Sequence, residues 1–420
     1  MKWYWVRSGG WLSQALGSGA CSRATLAPQT RLNDVNGIGQ MKHGSNGRRL
    51  INRCRLAGIV AVAAVTAACT ASPPAASAPA ASSPAASSPA TDIACTTVPT
   101  ASVPAVGTDL PSVPGELSAV AARSPDSAMA VGNAGKSSRS RPLVALWNGA
   151  IWKTLNNRGL PPSSELNGVA LFPGGAWAVG KYGNIEHKGE GKAFILRVTG
   201  TTVRKVPIPR MVYGTVLNDV AATSATDAWA VGTPTLHWNG TAWTRPQVPA
   251  GVARILDDAY GVAATSRRNV WIVSLGWIVH WNGRRWKAVT PNIGLRYALS
   301  GISATSATNV WAVGNVIQKG VQGVMLHWNG RRWTCALARE RHFENLAAIS
   351  TSSPDNAWAV GSYFDSADRA WVLHWNGHSW NHVMTPQLGQ FGDLRAVAVI
   401  PQSGRALVVG SSGMLMLNGS

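Results

Sequence analysis

Charge is scarce in this sequence. Of its 420 residues 13% are charged, and the acidic ones number 18 against 38 Lys and Arg. The shortage of carboxylates limits acid–base chemistry: the one adjacent acidic pair is Asp257-Asp258, and no copy of the repeat described below retains a carboxylate pair spaced as acid and nucleophile. Cysteine is also sparse, five in all, with no Cys-x-x-Cys spacing. Gly-x-Ser-x-Gly elbows, Walker loops and His-Glu-x-x-His helices are missing. No apolar run reaches the roughly 20 residues that a spanning helix needs. Phenylalanine, at 5, is rare where tryptophan, at 20, is abundant, and 17 of those tryptophans follow residue 140.

The first part of the chain reads as an export signal. Lys42, Arg48, Arg49, Arg53 and Arg55 precede an apolar run over 56–68, the length of a signal-peptide core. The run ends Val65-Thr66-Ala67-Ala68-Cys69, which resembles the lipobox of bacterial lipoproteins, with Thr66 where an aliphatic residue is usual. The resemblance implies a lipid on Cys69 and an extracytoplasmic, membrane-anchored protein; an ordinary cleaved signal would secrete it instead. A start at Met41 gives a normal signal length, so 1–40 reads as non-structured or a mis-called start and 41–68 as the signal. Residues 69–92, almost all Ala, Ser, Pro and Thr after the Cys, have too little apolar surface to offset ordering entropy and read as a disordered tether. Beyond Cys69 the balance is 29 basic to 17 acidic residues, scattered singly or in pairs such as Arg284-Arg285 and Arg331-Arg332. Pairs of this kind suit a solvated basic surface better than a nucleic-acid groove.

Residues 93–420 are a repeat. Trp177-Ala-Val-Gly180 recurs at Trp229, Trp271 (as Trp-Ile-Val-Ser), Trp311 and Trp358, with degenerate copies at Met129 and Leu407, at spacings of 48, 52, 42, 40, 47 and 49. A Leu-x-x-Val phrase precedes each copy (Leu117 to Val120, Leu394 to Val397), and a Trp-Asn-Gly phrase follows most (Trp147, Trp238, Trp281, Trp328, Trp375). Each copy predicts four short antiparallel strands, with Asn-Gly as the turn between the third and fourth because both residues tolerate positive φ. Four-stranded units of 40 to 50 residues repeated seven times predict a seven-bladed all-β propeller. The repeated tryptophans then fill the wedges between blades.

These phrases resemble secreted actinobacterial propeller proteins grouped with the kelch and galactose-oxidase-like propellers. The resemblance implies the fold over 93–420 and little about activity. The glycine pair of kelch blades, the Gly-His…Trp-Asp signature of WD40 blades and the sialidase Asp-box are absent.

His237, His280, His327 and His374 hold one place in four consecutive copies, so they read as one hydrogen bond per blade and not as a metal site. Asp227, Asn269, Asn309 and Asn356 read as turn formers capping their own backbone. No cofactor or metal is expected. The long second-to-third connections of copies 1, 2, 5 and 6 and the links between copies bring Tyr182, Tyr213, Arg254, Tyr260, Arg296, Tyr297, Arg341, Phe343, Tyr363 and Phe391 to one rim, a candidate binding surface. The function expected is a monomeric, non-enzymatic binding or scaffolding module for a protein or glycan. The alternative is an envelope enzyme acting on carbohydrate, which calls for two carboxylates, or a carboxylate with Tyr and Arg, at the axial mouth.

Two further expectations concern the ends. The seventh copy reaches only Asn418-Gly419, so an upstream segment must supply its fourth strand. Residues 93–98 are expected there, antiparallel to 413–417. Cys95 then lies on blade 7 and Cys335 on blade 5, too far apart for a disulfide.

Overall fold

The computed structural model describes residues 92–98, 102–104, 107–110, 113–135, 139–183, 191–210, 214–317, 322–338, 343–364, 368–385, 392–411 and 413–418. Cys69, the signal and the tether lie outside the described residues. The repeated phrases fold into seven four-stranded antiparallel blades around a common axis, a seven-bladed β-propeller. The Leu-x-x-Val segments are the inner strands (Glu116–Ser124, Ser164–Phe172, Val216–Ser224, Gly261–Ser266, Tyr297–Ser306, Phe343–Ser353, Leu394–Val399). Each packs against the inner strands of its neighbours, and the last packs on the first. One end of the propeller, here the hairpin face, carries the turns from first to second and third to fourth strands. The other, the loop face, carries the second-to-third loops and the links between blades.

The Gly that ends Trp-Ala-Val-Gly has a steric cause. In six blades the inner strand slips register by one residue just after its Leu, as between Leu299 and Gly301. The bulge pushes a carbonyl across the second strand: a Cβ on Gly314 would sit 1.9 Å from the Ala298 oxygen, and one on Gly180 1.9 Å from that of Glu165. Blade 4 is the exception in both respects. Its inner strand begins at Gly261, without that bulge, and Ser274 stands where the others have Gly.

The Trp-Asn-Gly turn differs from the expectation. The loop has four residues, since Trp147 pairs with Trp152 and Trp281 with Trp286. Only the Gly takes positive φ (94° at Gly149, 86° at Gly283). The Asn acts through its side chain: Asn282 Oδ1 accepts the backbone N–H of Arg284 at 3.0 Å and of Arg285 at 2.9 Å. The preceding Trp ties the two hairpin-face turns together, Trp281 Nε1 donating to the Arg267 carbonyl at 3.2 Å.

The core lies between blades. The second-strand Trp of one blade meets the tryptophan pair of the next: Trp177 meets Trp238 and Trp243 at 5.1 and 5.2 Å, and Trp311 meets Trp375 and Trp380 at 5.3 and 5.2 Å. Trp177 and Trp358 are 0% and 1% exposed. Each such ring removes on the order of 150–250 Å² from water, so these wedges carry much of the stability. Nearer the axis, side chains on the inner strands reach the next blade: Asn167 donates to Leu217 O (3.0 Å), Asn218 to Ala259 O (2.8 Å) and Ser300 to Leu346 O (2.6 Å). At the seam between blades 7 and 1, Arg395 bridges Asp393 (3.0 Å) and Glu116 (2.9 Å).

The ring is closed by pairing of its N- and C-terminal segments in blade 7, but not by 93–98. Gly107–Asp109 is the strand antiparallel to Gly413–Leu417. Cys95–Thr97 adds in parallel to the outer strand of blade 5 (Trp333–Leu337), and Ser102–Pro104 adds in parallel to that of blade 6 (Trp380–Met384). The segment is a strap lacing three consecutive blades. Cys95 therefore lies opposite Cys335, not on blade 7, and the two form a disulfide with Cα atoms 4.5 Å apart. The expectation of no bond is overturned because residues 95–97 pair with blade 5 and not with blade 7; the order of the blades stands.

Candidate functional site

The four histidines each serve their own blade. Nε2 of His237 meets Asp227 Oδ1 at 2.8 Å, and that of His280, His327 and His374 meets Oδ1 of Asn269 (2.8 Å), Asn309 (2.8 Å) and Asn356 (2.9 Å). Each ring also stacks on the second-strand Trp of its blade, as His280 does on Trp271 with centroids 3.8 Å apart. Burial lowers the pKa of His280 and His327 to about 4, helped at His280 by Lys287, and lowers that of His374. The Asp and Asn residues thus hold a histidine and a hydroxyl four residues back rather than capping their own backbone; the turn N–H groups go to serines, as Thr226 N does to Ser224 Oγ at 3.1 Å and Thr308 N to Ser306 Oγ at 3.1 Å. Asn309 and Asn356 spend their Nδ2 on Thr305 and Ser352, four residues back. For Asp227, burial pushes the carboxyl up. The hydrogen bonds from His237 and Thr223, and the charges of His237 and Arg267, outweigh it and hold the carboxylate below its ordinary range. Among the described residues no group of three or more His, Cys, Asp or Glu is placed to hold a metal ion.

The rim residues divide by environment. Tyr213, Arg341 and Phe391 lie outside the described residues, as does the side chain of Phe343. Tyr297 is 6% exposed and donates its hydroxyl to the Pro291 carbonyl at 2.8 Å; burial raises its pKa. Tyr182 packs edge-on against Phe194 under the Lys205 ammonium, 4.2 Å from the ring centre. Tyr363 packs on the core cluster that contains Trp371. Tyr260 is half-buried, its pKa raised by burial and by Asp258. Arg254, on the short helix Ala250–Leu256, and Arg296 are exposed.

Beside Arg296 lie apolar residues that sequence reasoning missed. Blade 4 turns from its second to its third strand over Leu275-Gly276, leaving Leu275 49% and Trp277 43% exposed. The Arg296-Tyr297 backbone runs between this turn and blade 5: the Tyr297 carbonyl would lie 3.2 Å from a Cβ on Gly276, and the Arg296 carbonyl accepts from Ile317 N at 2.9 Å. Ile317 is 40% exposed. Leu275, Trp277 and Ile317 with Arg296 thus form a mixed apolar and basic patch on the loop face of blades 4 and 5. Trp277 carried a signal, since it falls outside the repeated Trp positions.

A second concavity lies between blades 3 and 4, beside the hairpin face. The third and outer strands of blade 3 are only Leu236–Trp238 and Trp243–Thr244, and Pro246, lacking an N–H, cannot extend the ladder. The shortened edge leaves a cleft of about 510 Å³ lined in part by Arg245, Gln247, Arg267, Trp281 and Trp286.

No family model matches the chain, and no curated protein matches it in sequence. Solved structures share its fold. It is similar to a structure titled YCF48 bound to D1 peptide, at 12% identity and TM-score 0.52, covering 78% of this chain and all of that one. It is also similar to YCF48 from Cyanidioschyzon merolae (17%, 0.52, 74% of this chain and 98% of that one). A third likeness is a GH74 xyloglucanase from Xanthomonas campestris (15%, 0.52, 74% and 53%). Identities this low show the propeller fold alone.

Proposed function

We propose that this protein is a non-enzymatic binding module of the secreted kelch and galactose-oxidase-like kind, held outside the cell membrane by a lipid on Cys69 and engaging a partner protein. The observation that carries this reading is the exposure of Leu275, Trp277 and Ile317 around Arg296. Apolar and aromatic side chains bordered by arginine are the usual anchors of protein interfaces, whereas a fold gains nothing from leaving them in water. The YCF48 structure with a D1 peptide is compatible with a protein ligand on a propeller of this fold. The disulfide supports export, because such bonds persist in oxidising compartments. The xyloglucanase keeps the carbohydrate-enzyme reading in view. Two carboxylates do meet at the inner-strand mouth, but Arg395 bridges Glu116 and Asp393, which suits a ring clasp better than an acid and a nucleophile.

The test is comparative cross-linking on cells that produce the full chain or its Leu275→Asp/Trp277→Asp variant. A partner captured by the first and lost from the second supports the reading; glycan-array binding that the variant retains would overturn it. For the anchor, Cys69→Ala should move the protein from the membrane fraction to the medium.

A further inference from the structure

The repeat supplies its own control for which side chains the fold requires. In five blades the Asn of the Asn-Gly loop accepts both following backbone N–H groups, whatever side chains stand there. Those two places hold Ala150-Ile151, Thr241-Ala242 and His378-Ser379 in blades 1, 3 and 6, but Arg284-Arg285 and Arg331-Arg332 in blades 4 and 5. Blade 4 adds Arg267-Arg268 on the adjoining turn, where the Arg268 stem lies against Gly283. All six are exposed, and among the described residues none makes a salt bridge. Six guanidinium groups on the turns of two adjacent blades repel one another, and the other copies fold without them.

The same corner of blade 4 borders the cleft with Trp281 and Trp286, and its outer strand, Trp286–Val289, bonds to one neighbour only. The chain itself shows what such an edge accepts. Residues 95–97 and 102–104 add as parallel fifth strands to blades 5 and 6, and blade 4 stands next in the ring with no fifth strand among the described residues. Lys287 on that edge is ordinary protection against pairing with like chains, and it too favours an acidic guest.

We propose that the outer edge of blade 4 docks an extended acidic peptide from a partner protein, which adds as a parallel fifth strand. Its N-terminal carboxylates lie at the hairpin face against Arg267, Arg284 and Arg285, and an apolar side chain enters the cleft beside Trp281 and Trp286. Guanidinium groups take carboxylates in bidentate fashion, and backbone pairing supplies the rest of the affinity. This site is on the face opposite Leu275 and Trp277, so it stands or falls separately from the reading above.

The test uses the full chain and a fluorescein-labelled Glu-Glu-Glu-Val-Thr-Val-Thr peptide in fluorescence anisotropy. Binding should weaken steeply with salt, and it should fall by about tenfold or more in Arg284→Glu/Arg285→Glu, whose exposed side chains leave the melting temperature unchanged. Reversing the peptide's order, or N-methylating alternate residues, should also abolish it. Equal binding by the charge-reversed variant or by the N-methylated peptide would overturn the proposal. So would displacement of the peptide by a glucuronate oligosaccharide at equal concentration, or binding that appears only when residues 70–90 are deleted.

Discussion

Cys95 and Cys335 are joined across a sequence separation of 240 residues, and their bond fixes the strap to blade 5 two residues after Ile93 N bonds to the Asn292 carbonyl at 2.7 Å. Thr96 adds a side-chain hydrogen bond to the Cys335 carbonyl, and Val98 N bonds to Leu337 O at 2.8 Å.

Removing the bond should therefore cost stability. Cys335→Ser, or reduction of the native protein, is expected to lower unfolding free energy by about 2–4 kcal/mol. A non-reducing peptide map should show the 95–335 cross-link, and thermal melts with and without reductant should differ.

Deleting parts of the strap should have graded effects. Loss of residues 107–110 strips blade 7 of its outer strand and should destabilise the whole ring, read as a large drop in melting temperature. Loss of 93–98 leaves blades 5 and 7 with four strands each and removes a fifth strand, the disulfide and the buried Val98, a smaller drop because the ring stays closed. Equal effects of the two deletions would contradict the assigned pairing.

The bulge makes a position-specific demand. Gly314→Ala places a methyl 1.9 Å from the Ala298 oxygen, so one strand must shift, at a cost of about 2 kcal/mol or more. In blade 4, Ser274→Ala meets no such carbonyl and loses only the bond from Ser274 Oγ to Asp258 O, about 1 kcal/mol. Urea melts of the two variants would separate these outcomes.

Stability should depend on pH through the stacked histidines. His280 and His327 have folded pKa values of about 4, below the ordinary 6.5, because burial disfavours their charged form. The unfolded chain therefore binds more protons between those values. Their contribution is fully present above pH 6.5 and is lost as pH falls towards 4. Melting temperature should drop over that window, and His280→Gln/His327→Gln should flatten the drop.

The blades were legible because their determinants are local and repeated: Gly opposite the bulge, Asn closing its own loop, Trp at a fixed distance from both. The strap was not. Its strands are three residues long, and what selects their place is a surface on blades far along the chain, so a β-prone stretch such as 93–98 fits several edges equally well. The same limit hid the patch on the loop face. Tyr297 and Tyr182 read as surface aromatics, yet local packing buries or covers them, while Leu275 on a turn and Ile317 just past a strand end are exposed at places that periodicity does not encode.

The strap also decides where a pull would be felt. Tension arriving from the N-terminal side meets first the hydrogen bonds of Asp92 and Ile93 to Asn292 and then Cys95, whose cross-link hands the load to Cys335 on the fourth strand of blade 5. The hydrogen bonds that close blade 7 at residues 107–109 sit beyond that point and stay slack. The propeller can hang from its N-terminus like a ring on a rivet, its closure shielded from force for as long as the disulfide is intact.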